Sequence, residues 1–305
     1  MPAKLLLGKD LSQSIYADVS RRAADLRLTH WEPYLVSIDL SGDFSIELYV
    51  RNQRRIAEQL GITFENRQFD PSISQDRLLA AIQALNVNRN VTGIILQRPI
   101  PPHLSLHQLQ AAISPYKDVE GMHPANIGKA IYNEIDLAPC TSMAAIKLLK
   151  ETGLNLAGIE VTILCQDEVV AKPIALHLMA ELATVTNCHL GTIDLPRHTR
   201  AADALIVALD QPGIITADMV KEGAVVIDVG LNPVPALDAA GEPLTDAEGK
   251  PRSRLVGDVD FDSVAEVAGW ITPVPGGVGP ITLALLMRNT VFATETQKQL
   301  YEKTV

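Results

Sequence analysis

Three observations predict two α/β domains built on parallel sheets. Apolar runs of strand length alternate with amphipathic helical runs along most of the 305 residues. The alternation restarts after residue 140 with a strong strand, G-I-E-V-T-I-L-C, and a second series of helices and strands. A stiff loop at residues 272–282, T-P-V-P-G-G-V-G-P-I-T, then leads into a last apolar helix. A chain of this length can bury two cores.

Residues 11–26 place Ile15, Val19 and Ala23 on one helical stripe. Residues 34–40, Y-L-V-S-I-D-L, are apolar enough for a buried strand. Ser41-Gly42-Asp43 reads as a turn, and the helix after it runs to Leu60 with Gly61 as its stop. A strand over 63–69, a helix over 75–86 and a strand over 91–96 complete the first series. The second series has a helix over 142–152, a strand over 158–165 and a helix over 173–182. Strands over 183–188, 204–209 and 224–229 follow. Residues 232–254 form a polar excursion, read as a surface hairpin or loop. The expected division is an N-terminal domain of residues 1–140, a Rossmann-like domain of 141–282, and a C-terminal helix, 283–305, packing back on the first. The cleft between domains is the expected site.

The formal net charge of −10 argues against binding nucleic acid or anionic membrane. No apolar run is long enough to span a membrane, and the N-terminus lacks a signal-peptide layout. Three widely spaced cysteines, Cys140, Cys165 and Cys188, suit reduced thiols in a cytoplasm and suggest neither a disulfide framework nor a metal site.

Three stretches carry candidate chemistry. Tyr49, Gln53, Ile56 and Leu60 recur at helical spacing and put a phenol and an amide on one stripe, where buried polar groups need partners. Gln97 follows the strand over 91–96, at the strand end where open parallel sheets bind ligands, and its amide both donates and accepts. Lys117-Asp118-Val119-Glu120-Gly121 sets two carboxylates two residues apart; one is expected to pair with Lys117 and the other to face the cleft. In the loop over 272–282, Pro275, Gly276, Gly277, Val278 and Gly279 offer backbone N–H groups beside a helix start, with Pro280 near its first turn.

In this order the pieces resemble the bifunctional methylenetetrahydrofolate dehydrogenase/cyclohydrolases, essentially end to end. The most specific marks are Tyr49-Val50, Gln97 with Pro99 and Pro101, Lys117-Asp118-Val119-x-Gly121, and His123-Pro124-x-Asn126-x-Gly128. Pro139-Cys140-Thr141, Asp228-Val229-Gly230-x-Asn232, Gly257-Asp258-Val259 and the run Pro273 to Pro280 complete the set. The resemblance implies a two-domain subunit, usually a homodimer, with tetrahydrofolate in the cleft and NADP on the Rossmann-like domain. It implies that Tyr49 stacks on the folate, that Gln97 touches its polar edge, and that residues 275–279 line the cradle.

The departures from the family pattern are specific. Its Y-V-x-x-K lysine is Gln53 here, and an amide carries no charge and moves no proton near neutral pH. Its K-D-V-D-G acid is Glu120, one methylene longer. Its G-R-S-x-x-V-G-x-P reads Cys165-Gln166-Asp167-Glu168-Val169-Val170-Ala171-Lys172-Pro173, so the phosphate-approaching glycines and the basic residue are gone. Its A-V-G-K-P reads Ala208-Leu209-Asp210-Gln211-Pro212. Gln53, Tyr49, Glu120 and Gln97 are thus the candidate catalytic set, and Cys165, Gln166, Asp167, Ala171 and Pro173 mark an altered cofactor pocket. NADP is doubtful on this reading, and both ordinary activities are expected lost or weak. The function expected is redox-free methylene transfer from 5,10-methylenetetrahydrofolate to a second small molecule. Two alternatives stay open: a conventional NAD(P)-dependent dehydrogenase with relaxed cofactor use, and a non-catalytic folate-binding pseudoenzyme.

Overall fold

β1 (Lys4–Leu5) and α1 (Gly8–Leu28) open the chain. The computed structural model describes residues 2–40, 44–134, 136–238, 242–245 and 252–304. The turn expected at Ser41-Gly42-Asp43 lies outside these. The chain divides into two compact units, Ser12–Cys140 with Leu283–Val305, and Met1–Leu11 with Thr141–Thr282.

The first unit holds β2 (Tyr34–Asp39), α2 (Phe44–Leu60), β3 (Thr63–Gln68), α3 (Gln75–Val87) and β4 (Gly93–Leu96). Two short helices, α4 (Leu106–Ala112) and α5 (Pro124–Ala130), follow. Its sheet is parallel, in the order β3-β2-β4. β2 is central and buried on both faces, which is why its sequence is nearly continuous in apolar residues rather than alternating. One of its faces packs Val36, Ile38 and Leu40 against Leu78, Ile82 and Leu85 of α3 and Ile94 and Leu96 of β4. Each such side chain contributes about 1.5–3 kcal/mol by leaving water.

The second unit is a six-stranded parallel sheet. Its elements are α6 (Cys140–Glu151), β5 (Glu160–Cys165), α7 (Glu168–Ala180), β6 (Thr184–Cys188), α8 (Leu195–Ala201), β7 (Ala204–Ala208) and β8 (Val225–Asp228). An antiparallel pair, β9 (Asn232–Pro235) and β10 (Ser253–Val256), precedes α9 (Phe261–Ala265), β11 (Trp270–Ile271) and α10 (Val278–Thr304). The sheet order is β1-β11-β8-β7-β5-β6. The strand sequence reverses direction at β5, so the crevice outside the C-terminal ends of β5 and β7 is the topological switch point, where such sheets hold ligands. Among the described residues, no helix is long and apolar enough to cross a membrane.

Several expectations need correction. β1 pairs Lys4 with Trp270 and Leu5 with Ile271, so the first eleven residues join the second unit, not the expected 1–140 domain. A two-residue strand has too few side chains to show a period. α7 starts at Glu168 rather than at Pro173, because the Asp167 carbonyl accepts from Val170 N and Ala171 N to close the first turn. Pro173 lies inside this helix and forgoes one backbone hydrogen bond. The polar excursion at 232–254 is a hairpin at its stem, where Val256 pairs with Asn232, and its remainder at 239–241 and 246–251 lies outside the described residues. The proline- and glycine-rich loop is shorter than read, since Val278, Gly279 and Pro280 already form the start of α10.

Candidate functional site

The polar cluster of the first unit is assembled from α2, β2, β4 and the turn after Lys117. The stripe of α2 that is buried is Ile46, Val50, Gln53, Ala57 and Leu60. Tyr49 flanks it and stays 41% exposed, which corrects the reading that put it fully on the inward face. Its hydroxyl is nevertheless turned toward the protein. Burial there pushes its pKa up to about 12, with the Gln53 amide and Arg98 opposing the shift and Glu120 and Cys140 adding to it. The phenol is therefore neutral at physiological pH.

Gln53 is fully buried. Its Oε1 accepts from Gln97 Nε2 at 2.9 Å, and Gln97 Nε2 also donates to Ser37 Oγ at 2.9 Å. Gln97 sits one residue beyond β4, where its backbone N–H continues the ladder onto the Ile38 carbonyl. The structure thus brings Gln53 and Gln97 into direct contact across a polar sheet end. Ser37 was missed by sequence reasoning; the signal was a lone hydroxyl inside an apolar strand buried on both faces. Gln53 Nε2 is left without a hydrogen-bond partner. The same amide lies beside the Tyr49 hydroxyl, whose pKa it lowers.

The turn at 117–121 does not work as expected. Lys117 makes no pair with either carboxylate; its Nζ donates to the carbonyls of Leu85, Asn86 and Asn88 at 2.9, 2.7 and 2.8 Å and caps the end of α3. Asp118 is structural as well, its Oδ2 accepting from His123 N at 2.7 Å and from Asn126 Nδ2 at 2.8 Å. These bonds fix the chain into Gly121, whose φ is +74° and where an added Cβ would fall 2.4 Å from the Ala138 carbonyl carbon, so no side chain is admitted. Glu120 is then the carboxylate available for chemistry. Burial raises its pKa to about 7, with the Arg98 guanidinium and the Leu96 amide working the other way and Asp118 adding to the rise. Cys140 is buried, its thiol facing the Val119 carbonyl at 3.5 Å and accepting from Asn289 Nδ2 at 3.4 Å. Burial pushes that thiol far above its ordinary range, which makes it inert.

In the second unit, Pro275, Gly276 and Gly277 precede α10. The Val274-Pro275 peptide is cis, and Gly276 has φ +118°. A Cβ on Gly277 would fall 2.7 Å from Thr272 Cβ, whereas one on Gly279 would meet nothing within 4 Å. Gly277 is thus required by the loop's own packing, and Gly279 is not.

At the switch point, Cys165 ends β5 and donates its S–H to the Asp167 carbonyl at 3.1 Å. Asp210, just past β7, adopts φ +54°, a conformation suited to glycine. The neighbouring N–H groups of Leu209, Asp210 and Gln211 point at the Asp258 carboxylate, at 2.6, 3.2 and 2.8 Å. This nest, which elsewhere in proteins holds an anionic ligand, is filled by the protein itself. Burial, then Asp258, then Asp167 raise the Asp210 pKa, a sign of crowded negative charge. Residues 166–171, which follow β5, contain no lysine or arginine, and Lys172 comes next; residues 189–194, which follow β6, contain neither. The sheet and its switch point fit a nicotinamide dinucleotide. Among the described residues, no cluster suited to a metal ion is found.

Residues 6–120 match the family described as "Tetrahydrofolate dehydrogenase/cyclohydrolase, catalytic domain", and residues 139–298 match "Tetrahydrofolate dehydrogenase/cyclohydrolase, NAD(P)-binding domain". The chain is 51% identical over 302 residues to the bifunctional protein FolD 2 of Mesorhizobium japonicum, covering 99% of this chain and 95% of the relative. It is 47% identical over 294 residues to the bifunctional protein FolD of Rhodobacter capsulatus, covering 96% and 94%. Among solved structures, the FolD dehydrogenase/cyclohydrolase of Campylobacter jejuni matches at 36% identity and a TM-score of 0.87, covering 96% of this chain and 99% of that one. The FolD of Trypanosoma brucei, solved with NADP and an inhibitor, matches at 31% identity and a TM-score of 0.89, covering 98% and 99%. These matches give no support to the loss of both family activities, and the NAD(P)-binding domain, with a similar FolD solved with NADP, gives no support to the expectation that NADP is doubtful.

Proposed function

This chain belongs to the tetrahydrofolate dehydrogenase/cyclohydrolase family, and from that premise we propose that it oxidises 5,10-methylenetetrahydrofolate with NAD in preference to NADP and hydrolyses the product slowly. The observation that carries the reading is Gln53, fully buried and locked to Gln97, in the place of the family's lysine. Hydride removal from the one-carbon bridge needs the folate held in place but requires no side chain to move a proton. Hydrolysis of the methenyl product needs a water activated and protons moved. A neutral amide serves the first and not the second. Glu120, with a pKa near 7, is the remaining group that can hold or release a proton, and Arg98 beside it stabilises its charged form. Tyr49 offers an exposed ring face for stacking on the folate, and Gln97 holds Gln53 in register.

NAD, when bound at the C-terminal ends of β5 and β7, supplies the hydride acceptor. Asp167 and Asp210 lie at that crevice and oppose a 2′-phosphate, and Gln166 carries no charge to pair with it, while a ribose hydroxyl is left unopposed. Homodimer formation and a cytoplasmic setting belong to the same proposal. The test is steady-state oxidation of 5,10-methylenetetrahydrofolate by the purified chain with each cofactor. A rate with NAD that exceeds the rate with NADP supports the reading; equal rates count against it.

A second reading, methylene transfer without redox, is favoured by one observation, the crowding of Asp167, Asp210 and Asp258 at the switch point. Absence of any NAD reduction, with consumption of the folate when a nucleophilic acceptor is supplied, would select it.

A further inference from the structure

Two motifs of the second unit, Asp228-Val229-Gly230-x-Asn232 and Gly257-Asp258-Val259, take no part in the folate chemistry, yet each buries its aspartate. A buried carboxylate persists only where hydrogen bonds offset its lost hydration. Asp228 Oδ1 accepts from Gly230 N at 3.0 Å and Asp258 N at 3.1 Å, and its Oδ2 accepts from Val259 N at 2.9 Å. That carboxylate fixes the backbone on which Asp258 stands. Asp258 Oδ2 accepts from Leu209 N at 2.6 Å and Asp210 N at 3.2 Å; its Oδ1 accepts from Gln211 N and Asn232 Nδ2, each at 2.8 Å. The glycines answer each other across the pair. A Cβ on Gly230 would fall 2.3 Å from Asp258 Cγ, and one on Gly257 1.8 Å from Asp228 Oδ2. The two motifs therefore form one device, two carboxylates and the two glycines that make room for them.

What this device holds is the turn after β7. Three consecutive N–H groups converge on Asp258, and Asp210 keeps a left-handed φ of +54°, which a free turn seldom holds at a residue other than glycine. The turn lies on the β7 side of the switch-point crevice, where a doubly wound sheet takes a dinucleotide. Through Asn232, at the start of β9, the same carboxylate ties the exit of β8 to the exit of β7.

We propose that Asp258 is a positioning residue for the dinucleotide. By filling the nest of residues 209–211 it fixes the β7 wall of the crevice in the shape the cofactor docks against, and it withholds those N–H groups from the cofactor's phosphates. This rests on the NAD-oxidising reading above. The wall then acts through its backbone shape and not through the Asp210 side chain.

The experiment is calorimetric titration of NAD into the full chain as wild type, Asp258→Asn, Asp210→Pro and Asp210→Gly, with a thermal melt of each. Asp258→Asn keeps the volume but sets an amide N–H against the turn's donors, and NAD should bind about tenfold or more weakly. Asp210→Pro leaves Asp258 in place and breaks the turn from its own side, because proline holds φ near about −65° and has no N–H. It should lose NAD affinity to a similar degree, and its exposed position keeps the test open if Asp258→Asn does not fold. Asp210→Gly accepts the left-handed φ, keeps the N–H and should bind NAD at least as tightly as the wild type. A merely structural role would lower the melting temperatures and leave the NAD affinity of the folded protein unmoved. NAD affinity within about threefold of the wild type in either folded Asp258→Asn or Asp210→Pro overturns the proposal. So does a loss in Asp210→Gly as large as in Asp210→Pro, which would place the effect in the side chain. A wild type that binds no NAD defeats the oxidising function and this proposal with it; unmoved affinity in variants of an NAD-binding wild type defeats the role of Asp258 alone.

Discussion

Restoring a basic residue and removing an acid at the end of β5 should convert the cofactor preference. The perturbation is the double variant Gln166→Arg with Asp167→Ser. These residues directly follow Cys165, the last of β5, at the switch point. Two unit charges about 4 Å apart interact by about 4 kcal/mol at an effective dielectric near 20. Solvent screening at an open crevice reduces this to about 1–1.5 kcal/mol for each charge changed, or about tenfold in affinity. Removing the aspartate and adding the arginine together should tighten NADP by roughly 10- to 100-fold. NAD, which lacks the 2′-phosphate but carries the same pyrophosphate, should tighten by less than NADP. Calorimetric titration with both cofactors reads the two constants directly. Equal tightening of NAD and NADP would refute the electrostatic reasoning, because a general repair of the pocket would act on both. A wild type that already binds NADP as tightly as NAD would refute it more simply.

Three further predictions concern the scaffold. His177 is buried on α7 with neither ring nitrogen hydrogen-bonded, and burial first, then Lys150, lower its pKa against the pull of Glu181. The unfolded chain therefore binds a proton that the folded chain resists, and stability should fall as pH drops below about 6.5; urea titrations of the wild type and His177→Leu across that window should show a shallower pH dependence in the variant. Lys117→Met strips three carbonyls at the end of α3 of their shared donor. It should cost about 3 kcal/mol in chemical denaturation, and a loss under about 0.5 kcal/mol would show that water replaces the lysine. Gly257→Ala puts a Cβ 1.8 Å from Asp228 Oδ2. That carboxylate is pinned by the N–H groups of Gly230, Asp258 and Val259, so a thermal melt should register a loss of about 3 kcal/mol, and an unchanged melt would contradict the packing.

The sequence disclosed the long elements well because their periods are long. β2, β5, β7 and β8 are buried strands of nearly unbroken apolar residues, and α2 and α3 repeat over several turns. Helices α4, α5, α8 and α9 have five to seven residues, too few for an amphipathic period, and they were not read. The site was legible in part. The stripe on α2 found Gln53, but it placed Tyr49 one face too far inward, since consecutive helical residues differ by 100° and two neighbouring stripes fit the same apolar pattern. Contact between Gln53 and Gln97 spans 44 residues of sequence, and the helical stripe gave no sign of it. The role of Lys117 escaped because its partners are backbone carbonyls, which no residue type announces. The inference that both activities were lost went further than the residues allow, since a missing proton carrier bears on hydrolysis and leaves hydride removal possible.

The most direct test compares the two family reactions on one preparation of the wild type. The rate of NAD reduction by 5,10-methylenetetrahydrofolate is measured beside the rate of 5,10-methenyltetrahydrofolate hydrolysis, with the uncatalysed hydrolysis subtracted. With Gln53 fully buried in the place of the family's lysine, NAD reduction should proceed while hydrolysis stays within about threefold of the uncatalysed rate, a small fraction of the 100- to 10,000-fold that a positioned proton carrier supplies. Hydrolysis as fast as NAD reduction would contradict the account, because it would show that a neutral amide at this position suffices for the proton transfers.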